Sequence, residues 1–180
     1  MEKISVEVEG ISPLLINRFR DTSIDTQSKK RTGSIKERVL EDKLYLYDGK
    51  PHIPSIYLRN CIVEAGKQFK ITGKGKSTYS KLLGSTIDVN PDNILIQGGY
   101  MPFRVAAVNP MTKGRMMVTR PRFDKWKCKF EVILNDDSVP AGVLNELIEH
   151  AGRYVGIGDW RPEKKGMFGK FMITSFKKME

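Results

Sequence analysis

Two cysteines and two histidines in 180 residues are too few for most of the chemistry those side chains carry. Cys61 and Cys128 cannot build the disulfide framework of a small secreted domain, nor a four-ligand metal site. His52 and His150 stand far apart without ligand-like spacing, so neither a metal nor another cofactor is implied. The chain also lacks a G-x-x-x-x-G-K-[ST] loop, a dinucleotide fingerprint and any Ser/Cys–His nucleophile motif. Gly73-Lys74-Gly75-Lys76-Ser77 has neither the preceding strand nor the spacing of a phosphate loop, and reads as a basic surface turn. No apolar run approaches the ~18 residues of a membrane-spanning helix. Met1-Glu2-Lys3-Ile4-Ser5-Val6 has no signal-peptide core, so a cytoplasmic protein with no membrane partner is expected. No repeat, low-complexity run or linker divides the chain. Its 39% hydrophobic residues suffice for one core, and a single domain over 1–180 is expected.

Acidic residues are also in short supply. Against 31 Lys and Arg there are 21 Asp and Glu, giving a formal net charge of +10 and a pI near 9.6. A balance this basic makes nucleic acid the leading partner.

What the chain has in abundance is concentrated near its end. Residues 156–171, Gly-Ile-Gly-Asp-Trp-Arg-Pro-Glu-Lys-Lys-Gly-Met-Phe-Gly-Lys-Phe, combine four glycines with aromatic and basic side chains. Glycine permits φ > 0 and close backbone approach. Exposed N–H groups beside cations can cradle phosphates, and aromatics can stack on bases.

The rest of the chain alternates between two periods. Ile4 to Glu9 reads as a half-buried strand, extended past a bulge by Ser12-Pro13-Leu14-Leu15-Ile16. Arg18 to Arg38 is a long basic loop, and Leu44 to Tyr47 is a short strand. A helix begins at Pro54-Ser55, with Ser55 as N-cap and Leu58, Cys61, Ile62, Ala65 and Phe69 on its apolar face. Strands follow over Asn93 to Ile96 and Phe103 to Val108. A turn over Asn109 to Arg115 leads into Met116 to Arg122. Lys127 to Leu134 alternates, with Cys128, Phe130, Val132 and Leu134 on one face. Pro140 opens a second helix striped by Val143, Leu144, Leu147, Ile148 and Ala151 and stopped by Gly152. Phe171 to Phe176 is the last strand. The order is that of an α+β, ferredoxin-like or RNA-recognition-motif-like βαββαβ core with inserted loops, whose helices cover one sheet face and leave the other for a ligand.

Gly156-Ile157-Gly158 followed by Gly166-Met167-Phe168-Gly169-Lys170-Phe171 resembles the C-terminal glycine-rich loop of the RAMP superfamily, the repeat-associated proteins of CRISPR effector complexes. Ile53-Pro54-Ser55-Ile56-Tyr57-Leu58-Arg59-Asn60 is similar to that family's Ile-Pro-Gly-Ser-Ser-aliphatic-basic-Gly segment. Ile53, Pro54, Leu58 and Arg59 fit it, whereas Ser55, Ile56, Tyr57 and Asn60 depart. Ser12-Pro13-Leu14 is a third, weaker match. The motifs cover about a fifth of the chain and bracket nearly all of it. The resemblance is nearest to backbone subunits that polymerise along a guide RNA, or to a compact or phage-encoded relative. It implies a protruding thumb hairpin, here Val108 to Arg122, and partners that are other effector subunits or further copies of this chain.

The expected activity is non-catalytic binding of single-stranded RNA or DNA, with little sequence preference. The candidates for phosphate and base contact are Arg18, Arg20, Lys29, Lys30 and Arg31 in the first loop, and Tyr57, Arg59 and Lys67 on the first helix. Arg115, Arg120 and Arg122 in the thumb, and Trp160, Arg161, Lys164, Lys165 and Lys170 in the last loop, complete the set. Met111, Met116 and Met117 are candidate apolar contacts between subunits. Two alternatives stay open. One is an endoribonuclease using His52 or a loop aspartate, Asp21, Asp25 or Asp42, although no paired acid and base is visible. The other is a phage-encoded single-stranded DNA-binding or backbone-mimicking protein.

Overall fold

The structure, a computed structural model, describes residues 1–19, 40–108 and 113–179. In chain order its elements are β1 (Glu2–Gly10), β2 (Leu14–Leu15), β3 (Leu46–Tyr47), β4 (Lys50–Pro54), α1 (Ser55–Ala65), α2 (Tyr79–Thr86), β5 (Ile87–Asn90), β6 (Asn93–Leu95), β7 (Met101–Val108), β8 (Arg115–Phe123), β9 (Lys127–Leu134), α3 (Ala141–His150) and β10 (Phe171–Met179). Among the described residues no helix is long and apolar enough to cross a membrane.

The central sheet has the order β10-β1-β9-β5, and each neighbouring pair is antiparallel. The crossover from β1 through α1 to β5 skips one place, which β9 fills. The crossover from β9 through α3 to β10 skips another, which β1 fills. That is the interleaving of a ferredoxin-like core, as the element order predicts.

Period-two alternation decides which side is buried. Ile4, Val6 and Val8 of β1 and Cys128, Phe130, Val132 and Leu134 of β9 face inward. There they join Leu58 and Ile62 of α1 and Leu144, Leu147 and Ile148 of α3 in one core. The outward positions of the same strands pair charge with charge, Glu7 with Lys129 at 2.9 Å and Glu9 with Lys127 at 3.3 Å. The open sheet face is therefore an ion-pair ladder rather than a stacking platform.

The insertions form two three-stranded sheets, β2-β8-β7 and β3-β4-β6. The β7–β8 hairpin corresponds to the expected thumb but begins earlier, pairing Met101 with Arg122 and Val108 with Arg115. Its tip, with Met111, lies outside the described residues, as does most of the first loop with Arg20, Asp21, Asp25, Lys29, Lys30 and Arg31.

Several local expectations need correction. Residues 12–15 do not extend β1; β2 is a separate strand paired with β8. Leu44 is buried beside a short 3-10 turn, Glu41–Lys43, and is not in a strand. Ser55 is the first helical residue and not the cap: its N–H is taken by the Asp92 carbonyl at 2.9 Å. Phe69 falls after α1, beyond the 3-10 turn Gly66–Gln68. Gly152 does not stop α3, which continues as a π turn over Ala151–Val155. The stop is Gly156 at φ +70°, in the left-handed region that glycine adopts without a Cβ penalty. Gly152 serves packing instead, since a Cβ there would meet the Phe171 ring at 2.7 Å. Helix α2 and strand β5 have no counterpart in the sequence reading.

Candidate nucleic-acid interface

Three sequence segments that resemble one family meet at one place. The start of α1, the glycine-rich loop and Leu14 of the Ser12-Pro13-Leu14 segment, with Ile16 and Asn17 just beyond it, line a cleft of about 410 Å³. Backbone hydrogen bonds stitch the loop to that chain: Asp159 N–H to the Leu15 carbonyl, Gly169 N–H to the Pro13 carbonyl, both 2.8 Å, and Lys170 N–H to Ser12 Oγ at 2.9 Å. Gly158, at φ +80°, lies so close to the Leu15 carbonyl that a Cβ would collide with it. On the helix side the buried Cys61 Sγ donates to the Gly156 carbonyl at 3.2 Å. Burial pushes its thiol up to about 12, so Cys61 is a packing group and not a nucleophile.

These bonds correct one expectation about the loop. The N–H groups of Ile157, Asp159, Trp160, Lys164, Lys165, Gly166, Phe168, Gly169 and Lys170 already reach protein acceptors. Most of the loop's backbone donors are therefore engaged within the protein rather than turned to a phosphate. What the loop offers a ligand is side chains.

Those side chains divide into held and unheld cations. Arg161 grips Glu163 through Nε at 2.7 Å and Nη2 at 2.6 Å, and donates to the Gly158 carbonyl. Lys164 also pairs with Glu163, at 3.0 Å. Burial pushes the Glu163 carboxyl up, but the hydrogen bonds from Lys164 and Arg161, with their charge, outweigh it and hold the group below its ordinary value. Arg120 pairs with Asp159 at 2.8 Å, tying β8 to the loop. Arg122 pairs with Asp124 at 2.6 Å and lies over the Phe103 ring. Lys67 pairs with Glu64. Arg59 donates to the Ile87 and Gly84 carbonyls at the end of α2. Exposed Arg115 and Lys165, and half-buried Lys170, form no ion pair among the described residues. Arg18 is exposed beside the cleft, its N–H bonded to the Lys43 carbonyl. Arg104 and Lys113, exposed on the hairpin, are further cations that were not among the candidate contacts.

The aromatics form two groups. Trp160, half-buried at φ +51°, packs on Phe168, which packs on Phe103 of β7. In the cleft, the Tyr45 and Tyr57 hydroxyls share a 2.5 Å hydrogen bond. Burial, then that bond, raises the Tyr57 phenol to about 12. His52, only 7% exposed, lies edge-on to Tyr45, and its Nδ1 is buried without a hydrogen-bond partner among the described residues. Burial, then the charge of Arg18, lowers its pKa and keeps the ring neutral. Asp42 sits exposed in the 3-10 turn. Among the described residues no three His, Cys, Asp or Glu side chains gather around a possible metal position.

No protein-family profile matches the chain, and no curated protein matches it in sequence. Its fold is similar to that of a chain in a type III-B Cmr-beta complex bound to cognate target RNA, with a TM-score of 0.58 at 10% identity. That match takes in 99% of this chain and 61% of the other, so the protein spans about three fifths of its neighbour's length. A chain of a type IV-B CRISPR complex gives 0.49 at 11% identity, over 97% and 90% of the two chains. A CRISPR protein from Archaeoglobus fulgidus gives 0.45 at 13%, over 100% and 65%. The likeness is one of fold.

Proposed function

We propose that this protein binds single-stranded nucleic acid, RNA above all, as a non-catalytic component of a CRISPR-type effector assembly. The observation that carries the reading is the convergence on one cleft of three segments, each resembling the same RNA-binding family, from opposite ends of the chain. The net charge of +10 supports it, and so does the fold, shared with a chain of an RNA-bound complex. The strand's backbone is drawn by Arg115, Lys165 and Lys170. Paired Arg120, Arg122 and Arg161 hold the hairpin and loop in shape. Trp160 stacks on a base.

Fluorescence anisotropy with a labelled single-stranded RNA tests this. Affinity falls linearly with salt on logarithmic axes, because bound phosphates release counterions, and the strand stays intact on a denaturing gel. No binding at low salt, or an affinity indifferent to salt, overturns the reading.

A further inference from the structure

The lining of the cleft is wrong for a phosphate. Its charged members are Glu64, Asp159, Glu163 and a single Arg161, whose guanidinium is already gripped by Glu163. A phosphate entering here would meet more carboxylates than cations and would lose its hydration without compensation. The remaining lining suits a flat, neutral, polar group. Tyr45 and Tyr57 supply ring surface, and Asn17 and Asn60 are exposed amides with no hydrogen bond among the described residues. The volume, about 410 Å³, lies in the usual small-ligand range of roughly 300–1,000 Å³. It has room for one nucleotide and not for a run of them.

His52 points the same way. A neutral imidazole has one donor and one acceptor nitrogen. Nδ1 is buried with no hydrogen-bond partner among the described residues. An orphaned buried N–H is rarer than an unpaired acceptor, which favours the lone pair on Nδ1 and the proton on Nε2. The Nε2–H is then the donor this ring can offer a ligand. Asn17 and Asn60 each offer a donor and an acceptor, the combination that reads base edges.

We propose that the cleft is a subsite for one nucleobase, splayed out of the bound strand and identified at its hydrogen-bonding edge by His52 and Asn60. The proposal rests on the single-strand binding argued above and adds selectivity at one position to an interaction otherwise governed by backbone charge.

The test compares short homopolymer RNAs of adenosine, cytidine and uridine, and a uridine strand with one central guanosine, at one salt concentration. A bidentate base contact discriminates by roughly 1–3 kcal/mol, so the best and worst strands should differ at least about five-fold in Kd. Asn60→Ala, at an exposed position on α1, should shrink that spread to about two-fold, with thermal melting confirming the fold. His52→Gln should do the same where it folds. Equal affinities for all strands, or a spread that survives Asn60→Ala, overturn the subsite and leave the binding reading standing. No binding to any strand removes both.

Discussion

His52 gives the molecule a pH signature of its own. Its folded pKa lies below the ordinary histidine value, chiefly through burial and secondarily through Arg18. As pH falls through about 6.5, the unfolded chain takes up this proton before the folded one does. The stability His52 contributes is therefore present above that value and lost as pH drops towards the folded pKa. Melting temperature should decline between about pH 7.5 and 5.5, and His52→Gln should flatten that decline. Glu7 is held low by Lys129 and Glu163 by Lys164 and Arg161. Their contributions disappear only below the carboxylate range, so the two windows separate in a pH series of melts. Trp160 makes a second residue-level prediction. It packs on Phe168 yet remains half-exposed, so Trp160→Ala should weaken RNA binding by about 1–3 kcal/mol, the worth of one stacked base. Circular dichroism should not change. Unaltered affinity would mean that the ring only packs on Phe168.

Between elements, the hairpin and the glycine-rich loop act as one body. The Arg120–Asp159 pair joins them, with side chains 16% and 24% exposed, and the Trp160, Phe168 and Phe103 rings run alongside. A double-mutant cycle with Arg120→Met and Asp159→Asn, read by urea unfolding, should give a coupling of about 0.5–3 kcal/mol. An exposed pair would return roughly 0.2–1 kcal/mol. No coupling would mean that the two elements move independently. Much of this architecture was legible in the sequence. Period-two alternation located β1, β9 and β10, and three- and four-residue spacing located α1 and α3. Helix α2 was hidden although Tyr79, Leu82, Leu83 and Thr86 have helical spacing, because Ser80, Gly84 and Ser85 dilute the pattern. Trp126 gave no signal either, yet it is buried and its Nε1–H reaches the Ser12 carbonyl at 2.9 Å. At the site, the motifs marked which segments matter. What they could not mark was pairing: Arg120 meets Asp159 only through the fold, and counting cations along the chain overstated the charge left for phosphates.

At the scale of the whole molecule, the protruding β7–β8 hairpin leaves Met116 and Met117 about half exposed beside Arg115. Methionine suits an adaptable contact, and a hairpin that meets a different surface on the next copy makes an interface that does not close on itself. Light scattering with strands of increasing length should then show mass rising in steps. Met116→Asp with Met117→Asp should hold the complex at one protein per strand without unfolding it. Mass that stays at one protein per strand in the wild type would exclude assembly. The central sheet carries a different consequence, for the order of events during synthesis. Ile4 pairs with Val132 on one side and with Lys178 on the other, so β1 finds its neighbours only far along the chain. Closing such long loops slows folding, and β1 cannot dock before Lys127–Leu134 has been made. Until then Ile4, Val6 and Val8 form an unpaired apolar row, and a nascent chain that has not yet made β9 is open to aggregation.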